Sequence, residues 1–174
     1  MGKPIAGASY NPGKKVEKMI KIDIPGWGDM EIENIVLDMN GTIATDGKIL
    51  PEVKERINVL SENVKVYVLT ADTHETADGE VRDMNMELIK ITEKDSQRGK
   101  LEFLKTLELE KTVAVGNGNS DQLIMKEACL GIAVLGDEGI SIPTMKNSDL
   151  VVKNIYDALD LFLKPKRLIA TLRQ

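Results

Sequence analysis

The chain has 174 residues, 23 Lys plus Arg against 28 Asp plus Glu, a net charge of −5 and 42% hydrophobic residues, the profile of one globular domain rather than of a disordered chain. Aromatic residues make up only 3%, so the core must be built from Val, Ile, Leu, Met and Ala, and a chain of this length can bury roughly 70% of its unfolded surface. The acidic balance, with no basic run beyond Lys14-Lys15 and Lys164-Pro165-Lys166-Arg167, argues against nucleic acid as a partner, and no segment approaches the ~18 apolar residues of a membrane span.

Residues 1–18 carry Gly, Pro, Ser, Asn and Lys without apolar periodicity and are read as a flexible lead outside the fold, leaving 19–174 as a single domain. Two short runs, Ile20–Ile24 and Met30–Glu33, flank Pro25-Gly26-Trp27-Gly28-Asp29, which reads as an N-terminal β-hairpin of edge strands. Ile35-Val36-Leu37 follows and ends at Asp38; similar runs recur at Val64–Leu69, Met86–Ile91, Thr112–Val115, Gly131–Leu135 and Leu150–Val152. None alternates strictly, which suits strands buried on both faces.

Helical spacing lies between them. Pro51 opens a stripe of Val53, Ile57 and Leu60; Leu101, Leu104 and Leu107 form a second, Leu123, Ile124 and Ala128 a third, and Ile155, Leu159 and Phe162 a fourth. Repeated strand–helix alternation predicts an α/β three-layer sandwich with a mostly parallel sheet, whose ligand site lies at the carboxyl ends of the strands. A single cysteine, Cys129, excludes an internal disulfide framework and leaves the cytoplasm as the expected location.

Four polar groups fall at those strand ends or just beyond: Asp38, Thr70, Lys100 opening a helix, and the stretch from Asn117 to Asp121. A carboxylate can attack phosphorus, a hydroxyl and an ammonium can hold phosphoryl oxygens, and neighbouring carboxylates can hold Mg²⁺. These residue types together suit phosphoryl transfer.

In order along the chain, Asp38-Met39-Asn40-Gly41-Thr42, Val68-Leu69-Thr70, Lys100 and Gly116-Asn117-Gly118-Asn119-Ser120-Asp121 resemble the four motifs of the haloacid dehalogenase (HAD) superfamily. Thr70-Ala71-Asp72 is similar to the Thr-Gly-Asp of the phosphorylation domain of P-type cation ATPases, and the whole looks like the small "soluble P-type ATPase" group of archaea. The resemblance implies a HAD-like Rossmannoid fold, Asp38 as nucleophile, and Thr70, Lys100, Gly41 and Thr42 around the phosphoryl group. It also implies Mg²⁺ on Asp38, Asn40, Asn117 and Asp121, with Asp72 in support.

Two positions depart from the pattern. Asn40 stands where the phosphatases carry the acid that protonates the leaving group, and Asn117 where they carry a metal-binding aspartate. Slow hydrolysis of an aspartyl phosphate and weak Mg²⁺ binding are the consequences expected. Both amides precede glycine, a context prone to deamidation. Spacings of 32 residues from 38 to 70 and 30 from 70 to 100 leave no room for a cap domain, so the site should be open, suited to a phosphorylated, even macromolecular, substrate, a protein partner or a homo-oligomer. The alternative reading is a HAD-fold regulatory module that binds a phosphorylated or protein partner without turnover.

Overall fold

The computed structural model describes residues 18–71 and 76–174. Its chain opens with β1 (Ile20–Ile24) and β2 (Gly28–Ile32), paired antiparallel with Ile20 opposite Ile32. Six further strands form one all-parallel sheet: β3 (Asn34–Asp38), β4 (Lys65–Thr70), β5 (Glu87–Lys90), β6 (Thr112–Gly116), β7 (Leu130–Val134) and β8 (Leu150–Val152), in the spatial order β5-β4-β3-β6-β7-β8. The chain therefore moves outward from β3 to β5, then returns to β6 on the other side of β3. That reversal leaves a crevice at the carboxyl ends of β3 and β6, where doubly wound sheets bind their ligands.

Every residue of β3, β6 and β7 is buried, as expected for central strands covered on both faces. Side chains alternate between two cores. Ile35, Leu37, Val113 and Val115 join the larger one, beneath α1 (Pro51–Leu60), α6 (Ile155–Leu163) and α7 (Lys166–Leu172). Val36 and Ala114 join the smaller one, beneath α3 (Ser96–Leu104) and α4 (Gln122–Glu127). Helix α1 starts at Pro51 and buries Val53, Ile57 and Leu60, while α6 is capped by Asn154, whose side chain accepts from the Asp157 N–H at 2.9 Å.

The HAD-like three-layer fold expected from the sequence is the one observed, with three local differences. The hairpin does not edge the main sheet: Ile22, Ile24, Met30 and Ile32 all turn toward the larger core, so β1 and β2 make a sheet of their own, tied to the carboxyl terminus by the Gln174 N–H donating to the Pro25 carbonyl at 3.0 Å. Lys100 lies in the second turn of α3 rather than at its start, and Leu107 falls beyond the helix end while still packing on the smaller core. Three short helices, α2 (Thr76–Glu80), α5 (Ile142–Lys146) and α7, add to the four apolar stripes of the sequence. Among the described residues nothing resembling a cap domain is inserted after β3, where residues 39–50 form only a compact flap with bridges Asn40–Ala44 and Thr45–Lys48.

Candidate active site

Asp38 ends β3 at the switch point and is 7% exposed. Its Oδ1 lies 2.5 Å from Lys100 Nζ, and its Oδ2 lies 3.0 Å from the Thr42 hydroxyl. Lys100 Nζ also reaches Asp121 Oδ1 at 2.6 Å. One buried ammonium thus holds two buried carboxylates, Lys100 being 2% and Asp121 0% exposed. Residues 62 and 21 positions away from Lys100 meet because α3 crosses the smaller core toward the ends of β3 and β6.

The loop after β6 is shaped around Asp121. Its Oδ2 accepts the N–H groups of Asn117 (3.1 Å) and Gly118 (2.9 Å). A Cβ on Gly116 would stand 2.6 Å from the Asp121 carboxyl carbon, so glycine at 116 is what lets that carboxylate fold back. Both oxygens of Asp121 are therefore engaged before any ligand arrives.

Electrostatics follow from burial. The Asp38 carboxyl is pushed up to about 7, first by desolvation and then by the Asp121 carboxylate, against the pull of Lys100 and the Thr42 hydroxyl. Lys100 is raised above its ordinary value: burial works against its charge, but Asp38 and Asp121 outweigh it. The three groups carry more negative than positive charge when all are ionised, and the place beside Asp38 favours a proton or another cation.

Thr70 ends β4 and is buried, one strand over from Asp38. Gly41 and Thr42 belong to the flap. Gly41 has φ of 78°, in the left-handed region open to glycine, and any Cβ there would collide with the Asn117 amide. Asn40 is solvent-exposed at the flap edge. Asp72 lies outside the described residues. Asp38, Thr42, Lys100, Asn117 and Asp121 thus form one connected network. For deamidation, the following glycine nitrogen must attack the Asn side chain; here the Gly41 N–H donates to the Ala44 carbonyl (2.8 Å) and the Gly118 N–H to Asp121. Both attacking nitrogens are held elsewhere.

Sequence reasoning missed the loop 136–141. Its Gly139 carbonyl accepts from Asn117 Nδ2 at 3.0 Å, and the Ser141 N–H donates to the Asn117 carbonyl at 2.8 Å. The glycines of Gly136-Asp137-Glu138-Gly139, both at positive φ, were the available turn signal.

Among the described residues no cluster of three His, Cys, Asp or Glu side chains is placed to hold a metal ion. Oxygen donors are nevertheless present. Asp38 Oδ2 and Asn117 Oδ1 lie 3.0 and 3.1 Å from the same Thr42 hydroxyl, which has one proton to share between them. A carboxylate and an amide oxygen converging with a deficit of donors fit a hard cation, with less charge than an all-carboxylate set would supply.

No protein-family model matches the chain. Two uncharacterized proteins of Methanocaldococcus jannaschii do: MJ0073, 53% identical over 78 residues that span 42% of this chain and 84% of the relative, and MJ0072, 61% identical over 41 residues that span 24% of this chain and 93% of the relative. The chain belongs to the family of these two proteins. Among solved structures, this member of the family resembles the 3-deoxy-D-manno-octulosonate 8-phosphate phosphatases. That of Haemophilus influenzae, in a cobalt-bound form, gives a TM-score of 0.65 at 14% identity, covering 82% of this chain and 94% of its own. That of Moraxella catarrhalis, in complex with magnesium, phosphate and sugar, gives 0.61 at 19% identity with the coverage again 82% and 94%. That of Yersinia pestis gives 0.61 at 14%, covering 87% and 96%. A putative HAD superfamily hydrolase of Legionella pneumophila gives 0.61 at 16%, covering 80% and 87%, so the fold of this chain is that of the HAD hydrolases.

Proposed function

We propose that the chain is a capless, Mg²⁺-dependent phosphohydrolase that works through an aspartyl phosphate on Asp38 and turns over slowly. The observation that carries this reading is the buried Asp38–Lys100–Asp121 array at the switch point. Phosphatases among the fold neighbours, one holding magnesium and phosphate, support it. In the first step an Asp38 oxygen forms a bond to phosphorus while the bond to the leaving oxygen breaks, and the leaving group takes the electron pair. Thr70, Lys100, Gly41 and Thr42 hold the phosphoryl oxygens. In the second step water attacks phosphorus and loses a proton to solvent, while the Asp38 oxygen departs with the electron pair as a carboxylate.

Mg²⁺ would sit on Asp38, the Asn40 carbonyl and Asn117 Oδ1, offsetting negative charge on the phosphoryl group. Asp121, with both oxygens engaged, would act on the ion at a remove, by holding Lys100 and the loop. Asn40 has no acidic proton to transfer, so the leaving group must depart as a stable anion. Acyl and aryl phosphates therefore suit the site better than alkyl esters. Without a carboxylate at 40 to activate water, dephosphorylation forgoes about 10²–10⁴ in rate.

The slow second step and the Thr70-Ala71-Asp72 stretch favour the soluble P-type ATPase-like group. The short flap favours large substrates, a protein partner or a second copy bordering the site, with the cytoplasm as the setting. No helix among the described residues is long and apolar enough to cross a membrane. The two amides also favour a second reading, a HAD-fold module that binds a phosphorylated or protein partner. Phosphate release from acetyl phosphate and p-nitrophenyl phosphate with Mg²⁺, beside Asp38→Asn, separates the two. Slow release that disappears in the variant supports the enzyme; no release from either substrate supports the binding module.

A further inference from the structure

Asn117 stands where the resemblance puts a carboxylate, and its side chain makes a bond that an ionised carboxylate cannot make. It is buried at the end of β6 and ties three segments together. Its backbone N–H donates to Asp121 Oδ2 (3.1 Å), its carbonyl accepts from the Ser141 N–H (2.8 Å), Oδ1 lies 3.1 Å from the Thr42 hydroxyl, and Nδ2 donates to the Gly139 carbonyl (3.0 Å). A backbone carbonyl only accepts, so the atom facing Gly139 must be a donor, which fixes the orientation of the amide. An ionised Asp at 117 would set a negative oxygen against that carbonyl with no proton between them.

The same loop meets the flap a second time. Glu138 Oε1 accepts from the Asp46 N–H at 3.1 Å, close to the flap tip, where Asp46 and Gly47 both take positive φ. The flap is fastened at its base through Thr42, Asn117 and Gly139 and near its tip through Asp46 and Glu138. The base link carries more weight because it is buried, whereas the tip link is exposed.

We propose that Asn117, besides offering Oδ1 to the ion in the phosphohydrolase reading, is a positioning group: its side-chain amide fastens the base of the flap to the 136–141 loop and holds the Thr42 side chain, whose one proton is shared between Asn117 Oδ1 and Asp38, beside Asp38. The consequence for turnover rests on the phosphohydrolase reading; the fastening does not.

Hydrogen exchange on the full chain, free of metal and substrate, tests the fastening. The variants are Asn117→Asp and Thr42→Val, which cut the link from opposite sides. The amides of Gly41, Thr45 and Lys48, bonded within the flap, and that of Ser141, bonded to Asn117, report on it. The amides of β3 and β6 serve as the internal reference. Both variants are expected to exchange at the flap amides at least about tenfold faster than the parent, and Asn117→Asp also at Ser141, with the reference strands unchanged.

Parent-like protection of the flap and Ser141 in Asn117→Asp overturns the proposal. If that variant does not fold, parent-like flap protection in Thr42→Val overturns it alone. In turnover of p-nitrophenyl phosphate with Mg²⁺, a lower kcat at nearly constant KM for Asn117→Asp agrees with positioning, whereas higher kcat with unchanged exchange is the result of a metal-binding role alone and overturns it. Absence of turnover in the parent contradicts the phosphohydrolase reading and leaves the exchange result to decide the fastening.

Discussion

Replacing Lys100 by methionine removes the one cation between Asp38 and Asp121 and keeps most of the side-chain volume. In the parent, Nζ lies 2.5 Å and 2.6 Å from the two carboxylates, with all three groups buried. At an effective dielectric of about 20 each contact is worth roughly 6 kcal/mol of Coulomb attraction, most of it offset by the desolvation of the charges. Removing one partner leaves that desolvation uncompensated, and two carboxylates that repel, at a cost of about 3–5 kcal/mol. Urea unfolding of the metal-free variant should register this loss, with Tm lower by about 10 °C for a domain of this size. The sign with pH also follows. Burial and Asp121 raise the Asp38 carboxyl in the folded state, and losing Lys100 raises it further, so the folded variant binds a proton more tightly than the unfolded chain does. Its deficit should shrink as pH falls toward about 7, where the parent's own Asp38 takes up its proton, and level off below that. A loss below about 1 kcal/mol, or a deficit that grows on acidification, would refute the reasoning.

Asp160 accepts from Arg56 (3.2 Å), Lys164 (2.7 Å) and Arg167 (3.1 Å), joining α1, α6 and α7; burial raises its carboxyl, but Lys164 and Arg56 hold it below the usual range. Its contribution is present above the unfolded value and lost as pH falls through the folded one, so Asp160→Asn should cost about 1–3 kcal/mol at neutral pH, with parent and variant converging below about pH 4 in urea titrations. Gly131→Ala would place a Cβ 2.5 Å from the Met125 carbonyl oxygen; overpacking against backbone should cost about 1–3 kcal/mol or more, and an unchanged Tm would contradict the packing described. Burial and then Asp149 push the Cys129 thiol up to about 11, so iodoacetamide at mildly alkaline pH should label it at least about 100-fold more slowly than a free cysteine in a peptide, as followed by intact mass.

The sheet could be read in the sequence because its central strands are unbroken apolar runs, and Asp38, Thr70 and Asn117 could be placed at their ends because two runs stop at a polar residue and the third at Gly116-Asn117. The hairpin reads as a pair of edge strands because two short runs around a Gly-rich turn identify strands without saying which surface covers them; Ile22, Ile24, Met30 and Ile32 resolve that only by packing in the larger core. Helices α2 and α5, each of five residues, are too short for a periodic stripe and depend on tertiary contacts. The engagement of both Asp121 oxygens and the Asn117–Gly139 link could not be read, since each depends on how a loop folds back on a strand end rather than on residue type at a fixed spacing.

The central claim is that Asp38 accepts a phosphoryl group, and intact mass of the protein after incubation with acetyl phosphate and Mg²⁺, beside Asp38→Asn, tests it most directly. The account predicts an adduct of one phosphoryl group that builds up on the parent, is lost on treatment with hydroxylamine as an acyl phosphate must be, and is absent from the variant. An adduct of equal size on Asp38→Asn, or none on a parent protein that releases no phosphate, would contradict it.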